Sequence, residues 1–73
     1  MWIKNDGNTM PESGDYAFDV KNESGYIERH YGPFVVSSEG KCFYWLDGLK
    51  TCRVTLENVY GWYQIPFAPW RSK

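Results

Sequence analysis

The chain has 73 residues, with eight Lys and Arg against nine Asp and Glu and a formal net charge of −1. This length predicts one small domain, residues 1–73, and the near-neutral charge argues against a strong electrostatic footprint for nucleic acid. Aromatic residues make up 19% of the chain, which is too many for a disordered segment and indicates a folded domain stabilised by buried rings.

The first half of the chain predicts a short anchor, a loop and a β-hairpin. Trp2 and Ile3 open the sequence, and turn-forming residues follow up to Gly14. Residues 15–21 alternate between apolar and polar side chains, as a half-buried strand does. A turn over residues 22–25 leads to a return strand over residues 26–31, which we expect Gly32 and Pro33 to end.

The second half predicts further strands and an extended tail. Residues 34–37 form a short apolar run, and a second hairpin joins residues 41–46 to residues 51–59 through Asp47-Gly48, a strong hairpin signal. Prolines in residues 61–70 exclude a helix and a central strand there, so we expect an extended aromatic segment packed across the sheet. The predicted fold is mainly β: an antiparallel sheet of about four to five strands, as a meander or a partly open barrel.

The second hairpin has two possible registers, which treat the cysteines differently. A two-residue loop at Asp47-Gly48 places Phe43 opposite Cys52 and turns Cys42 to the other face. A three-residue loop with a glycine bulge places Cys42 opposite Cys52. The first register gathers more apolar side chains on one face, so we favour it and predict free thiols.

Candidate catalytic and metal-binding groups are few. Cys42, Cys52 and His30 do not have a zinc spacing. His30 and Cys42 lack the surroundings of an activated nucleophile, and Asp15 and Asp19 share a solvated strand face that suits no acid–base pair. We therefore predict no enzyme activity, no metal and no cofactor.

Aromatic side chains interleaved with cations are the main candidate for a binding surface. Most of the rings are needed for so small a core, but fourteen of them cannot all be buried. Exposed rings near Arg can contact a partner protein, stack on a nucleotide or on single-stranded nucleic acid, or be buried between copies in a homodimer. The candidate binding residues are Trp45, Lys50, Arg53, Trp62, Tyr63, Phe67, Trp70 and Arg71.

The two ends of the chain resemble a known family. Trp2-Ile3 and Met10-Pro11-Glu12 are similar to the Trp-Ile and Leu-Pro-Glu opening of domain-of-unknown-function family 551, found largely in phages and prophages. The family's Trp-x-Pro-Leu-Pro-x-Pro-Pro ending corresponds here to Val59, Trp62, Ile65, Pro66 and Pro69. Gln64 stands where a proline is common, and the middle of the chain is only loosely similar.

The resemblance implies a phage or prophage origin and no particular mechanism. Small phage proteins without a catalytic set commonly bind and inhibit a host or defence protein, or sequester a small signal. The start of the sequence has no apolar signal-peptide region, and no run reaches membrane-spanning length. We therefore expect a binding protein in the host cytoplasm with a host protein as its partner, no membrane association and reduced thiols.

Overall fold

A computed structural model describes residues 2–66 and shows a mainly β protein. The six strands are β1 Ile3–Lys4, β2 Gly14–Lys21, β3 Ile27–Ser37, β4 Gly40–Asp47, β5 Lys50–Thr55 and β6 Val59–Gln64. A three-residue 3₁₀-helix, Leu56–Asn58, joins β5 to β6. All strands pair antiparallel in one open sheet of order β1-β6-β2-β3-β4-β5.

The short link between β5 and β6 requires the sheet to curl. Four strand spacings separate β5 from β6 in the sheet order, which is about 19 Å if the sheet is flat. The four steps from Thr55 to Val59 can span at most about 14 Å even when fully extended. The sheet is therefore curved, with an inner and an outer face. The 3₁₀-helix connects β5 on one side of the curved sheet to β6 on the other.

Asn5 attaches the start of the chain to this connection. Its side-chain nitrogen donates to the carbonyl oxygens of Leu56 at 2.9 Å and Val59 at 2.7 Å, and its oxygen accepts from the Gly7 N–H at 3.0 Å. These carbonyls lie at the two ends of the 3₁₀-helix, where backbone groups lack partners within the helix. Asn5 thus holds β1 and the connection together.

The inner face carries the core. Its buried cluster consists of Tyr16, Phe18, Val20, Phe34, Phe43, Val59 and Trp62, with Trp45, Val54 and Leu56 packed against it. Phe43 is the centre of the aromatic contacts, with ring centroids 4.7 Å from Phe18 and 4.8 Å from Phe34. The predicted alternation of Tyr16, Phe18 and Val20 is confirmed.

The prediction that the tail packs across the sheet is wrong for the described part of the tail. Val59–Gln64 is β6, inserted between β1 and β2 with Trp62 paired to both Ile3 and Phe18. The two prolines lie beyond this strand, so they do not prevent it from pairing. The remainder of the predicted segment, residues 67–70, lies outside the described residues.

The strand count also differs from the prediction. Gly32-Pro33 does not end the return strand, because β3 continues through it to Ser37. Extended backbone suits the fixed φ of proline, and β3 begins to pair with β4 only at Phe34, so Pro33 interrupts no bond in that ladder. β1 and β6 then raise the count to six.

The second hairpin has a two-residue loop, as predicted, but its centre lies one residue later. Asp47 pairs with Lys50 around Gly48-Leu49, and Trp45, not Phe43, lies opposite Cys52. The shift changes each pairing by two residues, so every side chain keeps its predicted face. Cys42 and Cys52 point to opposite faces and are free thiols, which confirms that prediction.

Candidate functional site

Three side chains form a compact group on the outer face, which we call the outer cluster: Trp2, Arg29 and Tyr63. The Trp2 and Tyr63 ring centroids are 6.1 Å apart at an angle of 59°. The Arg29 guanidinium carbon lies 4.9 Å from the centre of the Trp2 ring and 5.6 Å from that of Tyr63. A cation at these distances is attracted to the face of each ring.

A carboxylate fixes the position of the guanidinium. Arg29 pairs with Asp19 across β2 and β3, and its Nε and Nη2 donate to the two Asp19 carboxylate oxygens at 2.8 and 3.2 Å. This hydrogen-bonded fork raises the pKa of Arg29 above its usual value, so the side chain stays charged. Because both rings lie on this fixed group, the outer cluster is ordered before any partner arrives.

A glycine makes room for the tryptophan. Gly61 on β6 lies beneath Trp2, and a Cβ added there would lie 2.5 Å from the ring and 2.7 Å from the Ile3 carbonyl oxygen. No side chain fits in that space. Gly61 therefore allows Trp2 to lie flat on the sheet, where 40% of the residue stays exposed.

The outer face remains aromatic beyond the outer cluster. Ala17 lies between Tyr63 and Tyr31 in register, and it is completely buried although it points outward. Larger side chains therefore cover Ala17, and the two tyrosines flank it on β6 and β3. Tyr31 itself is half exposed.

The predicted binding residues do not come together. Tyr63 belongs to the outer cluster, whereas Trp62 is 1% exposed in the core and cannot present its ring to a partner. Arg53 lies on the outer side of β5 and pairs with Glu39, and Lys50 is exposed at the start of β5. Phe67, Trp70 and Arg71 lie outside the described residues.

Trp45 lies on the other face. Its ring is half-buried at the edge of the core and stacks on His30 at 4.3 Å and 13°. Glu28 Oε1 lies 3.1 Å from His30 Nε2, and Glu28 Oε2 accepts a hydrogen bond from the Asn22 side chain. The Asn22 hydrogen bond and the nearby His30 lower the pKa of Glu28. Trp45 and Arg53 therefore cannot act on one ligand from the same face.

Sequence reasoning missed Trp2 and Arg29 as members of a site. The predicted first hairpin gave no signal for the ion pair, because a turn over residues 22–25 places Asp19 opposite Glu28. The observed pairing of Lys21 with Ile27 is shifted by one residue and brings Asp19 opposite Arg29. The position of Trp2 had no signal either. It depends on β1 pairing with β6 from the far end of the described chain.

Residues 2–66 contain neither a candidate metal site nor a candidate membrane-spanning helix. No three His, Cys, Asp or Glu side chains within this range are grouped so that they could hold a metal ion. None of its helical segments has the length and apolar character needed to cross a bilayer.

Comparisons of the chain with models of protein families, with curated proteins and with solved structures found no match. The resemblance of the chain ends to family 551 therefore stays a prediction.

Proposed function

We propose that the protein acts by binding another protein, with the outer cluster at the centre of the contact surface. The observation that carries this proposal is the ordered Trp-Arg-Tyr group, with Arg29 fixed by Asp19 between two accessible rings. Trp, Tyr and Arg supply most of the residues on which protein–protein affinity depends. Side chains that are already ordered lose less conformational entropy on binding.

The resemblance implies a phage context, so the proposed target is a host protein in the cytoplasm. Binding alone would inhibit or modulate this target. The proposal assigns the protein no catalytic step, no cofactor and no membrane. The aromatic side chains of Tyr63 and Tyr31, on either side of Ala17 on the outer face, add contact area for a folded partner.

Binding of a nucleotide or of single-stranded nucleic acid has weaker support. The cation nearest the exposed rings is Arg29, and Asp19 already neutralises it. Glu39 does the same for Arg53. A phosphate backbone would therefore meet two arginines whose charges are already paired, and its affinity depends on free ones.

The test is affinity capture from a host lysate with four immobilised forms of the protein: wild type, Trp2→Ala, Arg29→Ala and Tyr26→Ala. Tyr26 is 73% exposed at the β2–β3 turn, away from the outer cluster, and serves as the matched control. We expect one host protein to be retained by wild type and Tyr26→Ala and lost with both cluster variants. Equal capture by all four forms would contradict the proposed surface.

The nucleotide alternative is tested separately with a panel of nucleotides and a short single-stranded oligonucleotide. Quenching of tryptophan fluorescence that weakens steeply with added salt would favour it over the protein partner.

A further inference from the structure

The tip of the β4–β5 hairpin exposes a large apolar side chain. Leu49 is the second residue of the two-residue loop, and it is fully exposed at 106%. Gly48 has φ +66°, and no residue other than glycine has a positive φ in the described chain, which is the pattern of a type II′ turn. That turn requires the glycine but leaves the next residue open, so the turn itself gives no reason for a leucine.

An apolar groove lies beside this tip on the outer face. It has a volume of about 410 Å³ and is lined by Tyr31, Pro33, Tyr44, Leu46 and Thr51, with very little polar surface. Leu46 is 68% exposed and leads directly to the loop. The nearest lining residues are thus three positions before Leu49 on β4 and two positions after it on β5.

The groove lies where the ladder between β3 and β4 ends. Pairing between these strands starts at Phe34–Phe43 and does not extend to Pro33, which has no N–H to donate. Gly32 lies opposite Tyr16 of the core, so a side chain there would belong to the inner face and not to the groove. The rings of Tyr31 and Tyr44 are among the groups that line the groove on the outer face.

A protruding leucine at the hairpin tip and an apolar groove between the hairpin and β3 form a self-complementary surface. In a dimer with twofold symmetry, one patch meets its own copy, so each protrusion must face a recess of the same patch. The charges next to Leu49 also suit this arrangement, since Asp47 and Lys50 flank the loop and a twofold axis can bring each near its opposite in the other copy.

We infer that two copies of this chain associate through the β4–β5 hairpin, with Leu49 of each copy occupying the Tyr31–Tyr44–Leu46 groove of the other. The contact is small compared with standard interfaces, so the dimer is weak and forms with rising concentration. This goes beyond the proposed function, because it concerns a second copy and the groove rather than the outer cluster.

The first experiment is sedimentation velocity of wild type, Leu49→Lys and Tyr26→Lys up to millimolar concentration. We expect wild type and Tyr26→Lys to dimerise with concentration, and Leu49→Lys to remain a monomer. Leu49→Asn, which keeps a turn-favouring residue without adding charge, should give the same result as Leu49→Lys. A monomeric wild type, or variants of Leu49 that still dimerise, would overturn the inference.

The second experiment locates the contact by NMR in a sample that mixes isotope-labelled and unlabelled protein. We expect the Leu49 methyl signals to move upfield with concentration and to show intermolecular contacts with the rings of Tyr31 and Tyr44. Intermolecular contacts to Trp2 or Tyr63 in place of these would show that the copies use a different surface, and the inference would be wrong.

Discussion

The two faces of this sheet hold aromatic rings in place by different means. On the inner face, Phe43 is completely buried among rings that exclude water from one another. On the outer face, Trp2 and Tyr63 are held by an ion-paired guanidinium and stay accessible. Aromatic rings can therefore be held in place without being buried. Only the arrangement on the outer face leaves its rings accessible to a partner.

The largest effect should come from breaking the inner face. Phe43→Ala removes the ring that contacts Phe18, Phe34 and Trp62, and should lower the free energy of unfolding by about 3–5 kcal/mol. For so small a domain this approaches the whole stability. Urea denaturation followed by far-UV circular dichroism measures the loss, and a loss below about 1 kcal/mol would show that the core tolerates the cavity.

Gly61→Ala should disrupt the outer cluster and leave the core intact. Alanine normally stabilises a strand relative to glycine, but here its Cβ would displace the Trp2 ring. We expect the free energy of unfolding to fall by about 1–3 kcal/mol, with a change in the near-UV circular dichroism of tryptophan.

A double-mutant cycle isolates the cause of that loss. In a Trp2→Ala background, Gly61→Ala should cost less, because two of the three nearest obstructing atoms belong to the Trp2 ring and are removed. Equal costs in both backgrounds would mean that the ring of Trp2 does not rest on Gly61.

Arg29→Lys keeps the positive charge of the outer cluster and removes the planar guanidinium. It therefore tests how much the shape of that group contributes to stability. Lysine cannot make the bidentate contact with Asp19 or lie flat on the rings, so we expect a loss of about 0.5–1 kcal/mol in unfolding free energy. Arg53→Lys is the matched control, since Arg53 pairs with Glu39 at an exposed site. Losses of equal size would show that Trp2 and Tyr63 add nothing to the ion pair.

The smallest effect should come from a change at Asp6, in the loop before β2. This residue belongs to neither face of the sheet and serves as a reference. Hydrogen bonds from the backbone N–H groups of Asn8 and Thr9 lower the pKa of Asp6 below 3.8. The charged form is therefore favoured by folding, and its contribution is present above pH 3.8 and is lost as the pH falls through the lowered value. The difference in Tm between wild type and Asp6→Asn should shrink over that range, and a constant difference would contradict this.

The hairpins could be predicted because their signals are local. Alternation in residues 15–21 assigns the core face of β2, and the glycine at position 48 marks the second turn. The exact register of that turn could not be predicted, because pairing Asp47 with Lys50 in place of Leu46 with Leu49 keeps every apolar side chain on its face.

The outer cluster could not be predicted as a unit. Trp2 and Tyr63 meet only because β6 returns between β1 and β2, and no local pattern specifies where a returning strand inserts. Two prolines after β6 instead suggested a segment packed across the sheet. The position of Trp62 in the core follows from the same insertion.

The place of β6 between β1 and β2 also bears on the order in which the strands assemble. Strands β2 to β5 form a meander whose neighbours are close in sequence, whereas β1 pairs only with β6 among the described strands. Contacts between distant positions form slowly, because the intervening chain must first be ordered. We therefore expect Trp2 to reach Tyr63 in the last step of folding, so that the proposed binding surface is displayed only by molecules that have completed it.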